Sequence, residues 1–397
     1  MKFSIASPTV SRDGVEFLNA LTSLRFFAAM HVMLFHYQAM FFFNHNRTPP
    51  IEAIWLGFTS VTFFFLLSGF ILAHNYASTQ FDASTMRRYA FARFARIYPV
   101  YVLSLVVSLP FLFRTIAWLP DWLQPLWFSS LVLAPLGLHA WVPGAACALN
   151  CPSWSVSAEF FFYAMFPFLM PLAMRRPRLF ASCTALFWLA AALLYLWLWK
   201  QIGDSESIIL GSAPRGKWAA LTLELIEYFP IGRLPEFMIG IAVYVFWSAH
   251  REKVSAALAF SWFVAASALI LAFHKKMPEI MLQNGATSIA WAALIVAAAS
   301  TRGGVLARPV VVFLGKSSYC LYLLHGPIAL AVLSADTLLL GRALRGWPWT
   351  ASILATALSI AVSCIVFSKF EEPCRRALKA WLHQRQQKVQ AARANEA

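Results

Sequence analysis

Ten apolar runs, each long enough to cross a bilayer, divide this chain of 397 residues. They lie near 21–43, 54–76, 97–113, 154–173, 179–199, 229–248, 255–273, 285–300, 313–333 and 349–369. A backbone in hydrocarbon must satisfy its own polar groups, so runs of this length form helices. The predicted fold is therefore all-α, a polytopic membrane bundle of about ten transmembrane helices. Charge content agrees: 12% of residues are charged, against about 25% in a soluble domain. A further apolar piece, 126–142, is interrupted by Pro135 and Gly137 and reads as a re-entrant or interfacial segment.

A formal net charge of +15 would point to nucleic acid in a soluble protein. Here the positive residues sit in short connections and tails, where they set orientation and meet anionic lipid. Nucleic-acid binding is set aside, and membrane lipids are the expected neighbours. An even number of spans puts both termini on one side. Nineteen of the 32 lysines and arginines fall on that side and nine on the other, so both termini are predicted cytoplasmic.

Residues 1–20 carry Lys2, Arg12, Asp13 and Glu16 without an apolar core, so the first span is expected to be its own targeting signal. The chain divides into this cytoplasmic segment, a membrane domain over 21–373, and a basic cytoplasmic tail over 374–397. The tail reads as a helix lying on the inner leaflet. The outer side holds the longer connections, 114–153 and 200–228, where an external substrate would be gripped. Cys147 and Cys151 lie in the first of these. An oxidising compartment permits a disulfide there, but so short a loop is geometrically demanding, and both states stay open.

Polar groups inside spans are costly and mark function by default. Arg25 and His36 share the first span. Eleven residues of helix bring them back to within ~20° of one face, ~16 Å apart along the axis. The charge bias puts Arg25 at the cytoplasmic end and His36 about three turns further out. His31, six residues after Arg25, falls on a different face. In the second span Ser68-Gly69 interrupts an aromatic run, and small residues there suit close helix packing better than nucleophilic chemistry. Arg87, Arg88, Arg93 and Arg96 form a basic run that serves either anchoring or, through guanidinium forks, a phosphate-rich ligand.

Trp154-Ser155-Val-Ser-Ala-Glu159-Phe-Phe-Phe-Tyr163 sets Ser155, Glu159 and Tyr163 on one helix face. Glu159 either pairs with a cation such as Arg25, Arg233 or His36, or is protonated. Arg233 and Glu236 form another intramembrane pair, flanked by Pro230 and Pro235, which imply a broken helix. Tyr319, Tyr322 and His325 step by three along one side of the ninth span, and His325 is open to two readings, a hydrogen bond to the Arg25/His36 site or a place along a substrate path. None of the six cysteines has metal-ligand spacing, and no phosphate-binding glycine loop, dinucleotide fingerprint, HExxH or GxSxG occurs. No metal is expected.

Together these segments resemble the acyltransferase-3 family of integral membrane acyltransferases. The resemblance runs from Leu21 to Pro373, in the family's order. It comprises Leu-Arg25-Phe-Phe-Ala-Ala with His36, Phe-Phe-Leu-Leu-Ser68-Gly69-Phe, Arg93-Phe-Ala-Arg96-Ile-Tyr-Pro99 and the Trp154–Tyr163 segment. Arg233-Leu-Pro-Glu-Phe-Met-Ile-Gly240, Gly315-Lys-Ser-Ser-Tyr319-Cys-Leu-Tyr322-Leu-Leu-His325-Gly-Pro327 and Glu372-Pro373 complete it. Ala158 departs from the bulkier residue that many members carry.

The resemblance implies an acyltransferase in a bacterial cytoplasmic membrane. It would transfer an acyl group, usually acetyl from acetyl-CoA, to a hydroxyl of an extracytoplasmic or lipid-linked glycan. Some relatives instead acylate macrolides. His36 and Arg25 are the implied essential pair, joined by Glu159 as a catalytic candidate. Arg88, Arg93, Arg96 and Ser68 are placed at the CoA site. Trp154, Ser155, Tyr163, Arg233, Tyr319, Tyr322 and His325 are placed around the substrates. His36 would act as general base or transient acyl carrier. Two other classes remain: a proton-coupled transporter or flippase, which would show flux without thioester consumption, and a non-catalytic scaffold.

Overall fold

The computed structural model describes residues 18–42, 51–202, 216–301 and 303–395. Expectations for residues 1–17, for 203–215 in the second outer connection, and for Arg47 and Arg302 lie outside the described residues. The described chain is helical, with no strand. Its helices are α1 (Asn19–Phe42), α2 (Glu52–Trp55), α3 (Ser60–Tyr76), α4 (Ala83–Ile116), α5 (Gln124–Leu133), α6 (Trp154–Arg175), α7 (Pro177–Ile202) and α8 (Lys217–Tyr228). There follow α9 (Pro230–His250), α10 (Ala256–Phe273), α11 (Glu279–Met281), α12 (Ser288–Ala299), α13 (Pro309–Leu339), α14 (Pro348–Val366) and α15 (Glu372–Asn395).

Among the described residues, nine helical stretches are long and apolar enough to cross a membrane. They match the second to the tenth expected spans. The first, α1, has the length: its 24 residues rise ~36 Å, more than the ~30 Å of hydrocarbon. Its Arg25, His31, His36 and Gln38 dilute its apolarity. This helix is packed by α13, α3, α14 and α12, so its polar side chains meet protein. The protein is an all-α, multi-pass membrane bundle.

Close crossings fix the bundle. A Cβ added at Gly69 of α3 would collide with the Phe237 carbonyl oxygen of α9, and one at Gly240 of α9 with that of Leu66. Each helix thus presents a glycine to the other's backbone. On α13, a Cβ at Gly315 would strike the Thr22 carbonyl oxygen of α1. These two helices run parallel, with Thr22 beside Gly315 and His36 beside His325.

Several boundaries differ from the sequence reading. The 97–113 run is the middle of a 34-residue helix, α4, with Pro99 and Pro110 inside it. It begins at Ala83 because Asp82 caps it, accepting from the Thr85 amide at 2.8 Å. The break expected around Arg233 falls earlier, at the extended Phe229, and Pro235 lies within continuous helix. Pro230 takes the first helical turn, where its missing N–H costs nothing. The 285–300 run begins sooner, at Glu279, and kinks at Asn284 and Gly285, where the glycine has φ 90°.

The 126–142 piece does not span. After α5 it turns at Gly137, and the exposed carbonyls find partners: Tyr101 donates to Ala134 O at 2.5 Å and Ser157 to Gly137 O at 2.5 Å. Cys147 and Cys151 are disulfide-bonded. The tail is helical as α15, whose Trp381 ring stacks on Phe91 of α4 at 5.7 Å.

Candidate active site

Five helices, α1, α3, α4, α6 and α13, line an open cavity with about 980 Å³ of atom-free space, the solvent at its mouth included. Arg25 reaches it from α1, and Arg93 and Arg96, one turn apart, from α4. Lys316 stands exposed on α13 at its edge. Glu159 and Tyr163 come from α6 and Ser68 from α3. Ser155, Glu159 and Tyr163, set on one face of α6, all line this cavity, whereas Arg25 lines it without His36.

Positive charge dominates the wall, with a single carboxylate to balance it. Arg96, Arg25 and Arg93 are the cations whose fields reach Glu159. Glu159 also accepts from the Tyr163 hydroxyl at 3.3 Å, and that hydroxyl accepts in turn from Ser68 at 3.4 Å. Arg93 lies 5.9 Å over the Tyr76 ring, and its Nε is buried without a partner among the described residues. A buried guanidinium N–H without an acceptor is costly. The donor set here suits an anion with several oxygens.

Two tyrosines of α13 complete the wall. Tyr319 donates to Ile97 O at 3.1 Å, bracing α4. Tyr322 shares a 2.8 Å hydrogen bond with Ser155, which also donates to Pro152 O at 3.0 Å. With its one hydrogen given to that carbonyl, Ser155 must accept from Tyr322.

One turn beyond Tyr322 on α13 lies His325, its ring 6.3 Å away. It meets His36 of α1 with 3.0 Å between His325 Nε2 and His36 Nδ1. The backbone around the pair fixes its hydrogens. His325 Nδ1 faces Leu321 O at 3.2 Å, and His36 Nδ1 faces Val32 O at 3.0 Å. A carbonyl only accepts, so each neutral ring carries its hydrogen on Nδ1. His36 Nδ1–H is then shared between Val32 O and the lone pair of His325 Nε2. What remains is His36 Nε2, a lone pair for which the described residues supply no hydrogen-bond donor. Behind the pair, Tyr37 donates to His325 O at 3.1 Å and shares a 2.6 Å bond with Ser359 of α14.

The expected residues therefore separate into three places. Arg25, Ser68, Arg93, Arg96, Ser155, Glu159, Tyr163, Tyr319 and Tyr322 line the cavity. His36 and His325 form the pair beside it. His325, expected at a substrate, is fully buried behind His36. Arg88, Trp154 and Arg233 do not line the cavity. Arg88 is exposed further along α4 and donates to Thr85 at 2.9 Å.

Arg233 is 3% exposed and pairs with Glu236 at 3.1 Å. Its other contacts are the Gln283 carbonyl, Asn284 Oδ1 at 3.2 Å, and the faces of Phe65 and Trp154 at 5.5 and 5.6 Å. It fills the kink before α12 rather than binding a ligand. Of the cations offered to Glu159, Arg25 is near it, while Arg233 is taken by Glu236. His31 bonds Ser60 and Ala53 O, each at 2.9 Å, on the separate face predicted for it. Lys316 and Tyr37 were passed over in the sequence. A lysine inside a span carries the same cost signal as Arg25, whereas Tyr37 is one aromatic among many.

A cationic cavity next to a base with a free lone pair, held inside a bundle of spanning helices, is the architecture of a membrane-embedded group-transfer enzyme. Residues 18–368 match the family model Acyl_transf_3, an acyltransferase domain. The chain belongs to this acyltransferase-3 family and is an acyltransferase. It is 31% identical over 385 residues to Acyltransferase MdmB of Streptomyces mycarofaciens, covering 91% of this chain and 92% of that protein. A shorter likeness, 33% over 99 residues, links it to Protein 2 in picA locus of Rhizobium radiobacter, covering 25% of this chain and 47% of that one. No solved structure matches.

Proposed function

We propose that this acyltransferase moves an acetyl group from acetyl-CoA on the cytoplasmic side to a hydroxyl of an extracytoplasmic or lipid-linked glycan. Its expected place is the bacterial cytoplasmic membrane. The observation that carries the chemistry is the free Nε2 of His36, poised by the His325 and Val32 contacts of its Nδ1. The acceptor oxygen attacks the thioester carbon, and His36 Nε2 takes the hydroxyl proton. The C–S bond breaks, and the proton leaves with the CoA sulfur, so that acyl-CoA and alcohol become ester and thiol. Imidazolium formed in this step keeps Nδ1–H on His325, whose neutral ring is an acceptor that stabilises the charge.

Arg25, Arg93 and Arg96 supply the anion-binding end, with Ser68 beside them, for the phosphates of CoA. Glu159 balances those arginines and orients Tyr163. Acyl transfer is measured in membranes carrying His36→Ala at wild-type expression. Removal of a general base predicts a loss of about 10²- to 10⁴-fold; transfer at the wild-type rate rejects the assignment.

A further inference from the structure

A second open cavity, with about 1230 Å³ of atom-free space including the solvent at its mouth, lies at the other end of α1 and α13. From α1 it takes Met40 and Phe41, the next turn after His36; from α13 it takes Leu330, Leu333, Ser334 and Thr337, all beyond His325. The arginine-lined cavity takes Arg25 from α1 and Gly315 to Tyr322 from α13. Because these helices run parallel, the His36–His325 pair stands between the two cavities. Met40 is only ~6 Å along the axis from His36, four residues at ~1.5 Å each. No residue is shared between the two walls.

The second wall has its own chemistry. At the end of α4 stand Arg114, Thr115 and the indole of Trp118, which is 87% exposed. Arg345 faces them across the connection that follows α13. Arg114 donates to the Ser334 hydroxyl at 3.0 Å, which holds its side chain across the cavity. Asp336 is 1% exposed and accepts from the Leu344 amide at 2.9 Å, so its carboxylate serves the loop rather than the surface. Among the described residues of this wall, the exposed charges are two guanidiniums. Thr115 and Thr337 give their hydroxyl hydrogens to the Phe111 and Leu333 carbonyls at 2.8 and 2.9 Å and are left as acceptors, while Ser334, which accepts from Arg114, keeps its hydrogen to donate. A flat indole offers a face to the C–H side of a sugar ring.

We propose that this second cavity is the acceptor site, and that the acceptor is a polyhydroxylated sugar bearing an anionic group, phosphate or carboxylate. Arg114 and Arg345 hold the anion, Trp118 carries the ring, and the hydroxyl to be acylated approaches His36 from this side. This rests on the reading of the protein as a glycan O-acetyltransferase. The two substrates then reach one base from opposite cavities, and the atoms exchanged are those already balanced above.

The test uses the full chain in cells lacking their own copy, with mass spectrometry of free, polymeric and lipid-linked glycans and acetyl-CoA binding to their membranes. Wild-type protein is expected to add acetyl to an anionic sugar. An acetylated lipid-linked sugar phosphate identifies phosphate as the anion, and an acetylated uronic acid identifies carboxylate. Arg114→Gln with Arg345→Gln is expected to lower acetylation at least tenfold with acetyl-CoA affinity unchanged. The pair Arg114→Lys and Arg345→Lys is expected to recover part of it, separating lost charge from a misfolded chain. Acetylation of a neutral sugar, full acetylation by the Gln pair, or a parallel fall in acetyl-CoA affinity overturns the proposal. Absence of any acetyl gain with the wild-type protein instead overturns the glycan reading on which it stands.

Discussion

Replacing His325 tests whether it works through His36 or merely fills space. In the structure its Nε2 is the acceptor for His36 Nδ1–H at 3.0 Å. During transfer His36 becomes an imidazolium, and that contact becomes a hydrogen bond to a charged group. Such bonds are worth about 1.5–3 kcal/mol. At about 1.4 kcal/mol per tenfold, His325→Ala should lower kcat roughly 10- to 150-fold. KM for acetyl-CoA should stay constant, because His325 does not touch the arginine-lined cavity. His325→Gln, which keeps an acceptor oxygen, should restore about half of the lost activation energy by the same bookkeeping. The decisive measurement is the double variant. If His325 acts only through His36, then His36→Ala with His325→Ala is no slower than His36→Ala, within the roughly twofold scatter of independent effects. Acyl transfer is assayed by release of the CoA thiol from membranes, normalised to folded protein. Multiplicative losses in the double variant, or equal losses from Ala and Gln together with a raised KM, would falsify the positioning role.

Three further perturbations follow from the geometry. Arg93→Ala with Arg96→Ala removes two charge-assisted donors and should raise the KM for acetyl-CoA at least about tenfold; unchanged saturation would detach these arginines from the donor. Gly69→Ala forces a methyl against the Phe237 carbonyl and should cost about 1–3 kcal/mol of stability, read as a lower unfolding temperature in detergent, whereas the neighbouring Ser68→Ala should not. Glu236→Gln strands the buried Arg233 and should destabilise by about 3–5 kcal/mol, while Arg233→Met with Glu236→Leu should recover most of that; a double variant as unstable as the single one would show that the charge pair itself supports the fold.

The sequence reveals most about elements whose cause is local. Apolar length locates the spans because hydrocarbon demands it of each helix alone. Helical spacing put Ser155, Glu159 and Tyr163 on one face, and all three line the cavity. The contact between His36 and His325 is of another kind. A hydrogen bond from His325 to the Arg25/His36 site is only one of the two options the sequence leaves open, because a separation of 289 residues does not say that the histidines meet; their meeting depends on how α1 and α13 cross, and that depends on Gly315 lying against Thr22. Arg233 and Trp154, expected around the substrates, pack against each other away from the cavity for a related reason. An intramembrane cation announces a cost, but only the contacts of Arg233 with Glu236, the Gln283 carbonyl and Asn284 Oδ1 show that structure meets it.

The polarity of each span also bears on its place in the bundle. α10 contains no ionisable residue and has no buried one; all its side chains are exposed or half-buried, as suits a helix facing lipid. α1 is the reverse case. On a lipid-facing helix, Arg25 and His36 would each meet hydrocarbon, at a cost measured in several kcal/mol. Enclosed by α13, α3, α14 and α12, the same two residues meet a cavity and an imidazole. The polar helix is therefore stable only at the centre of the bundle, and there it reaches both cavities, as α4 and α13 also do, and carries the proposed base between them. Its low apolarity, which sets it apart from the nine spans recognised by hydropathy alone, is the same property that fits it to hold the chemistry.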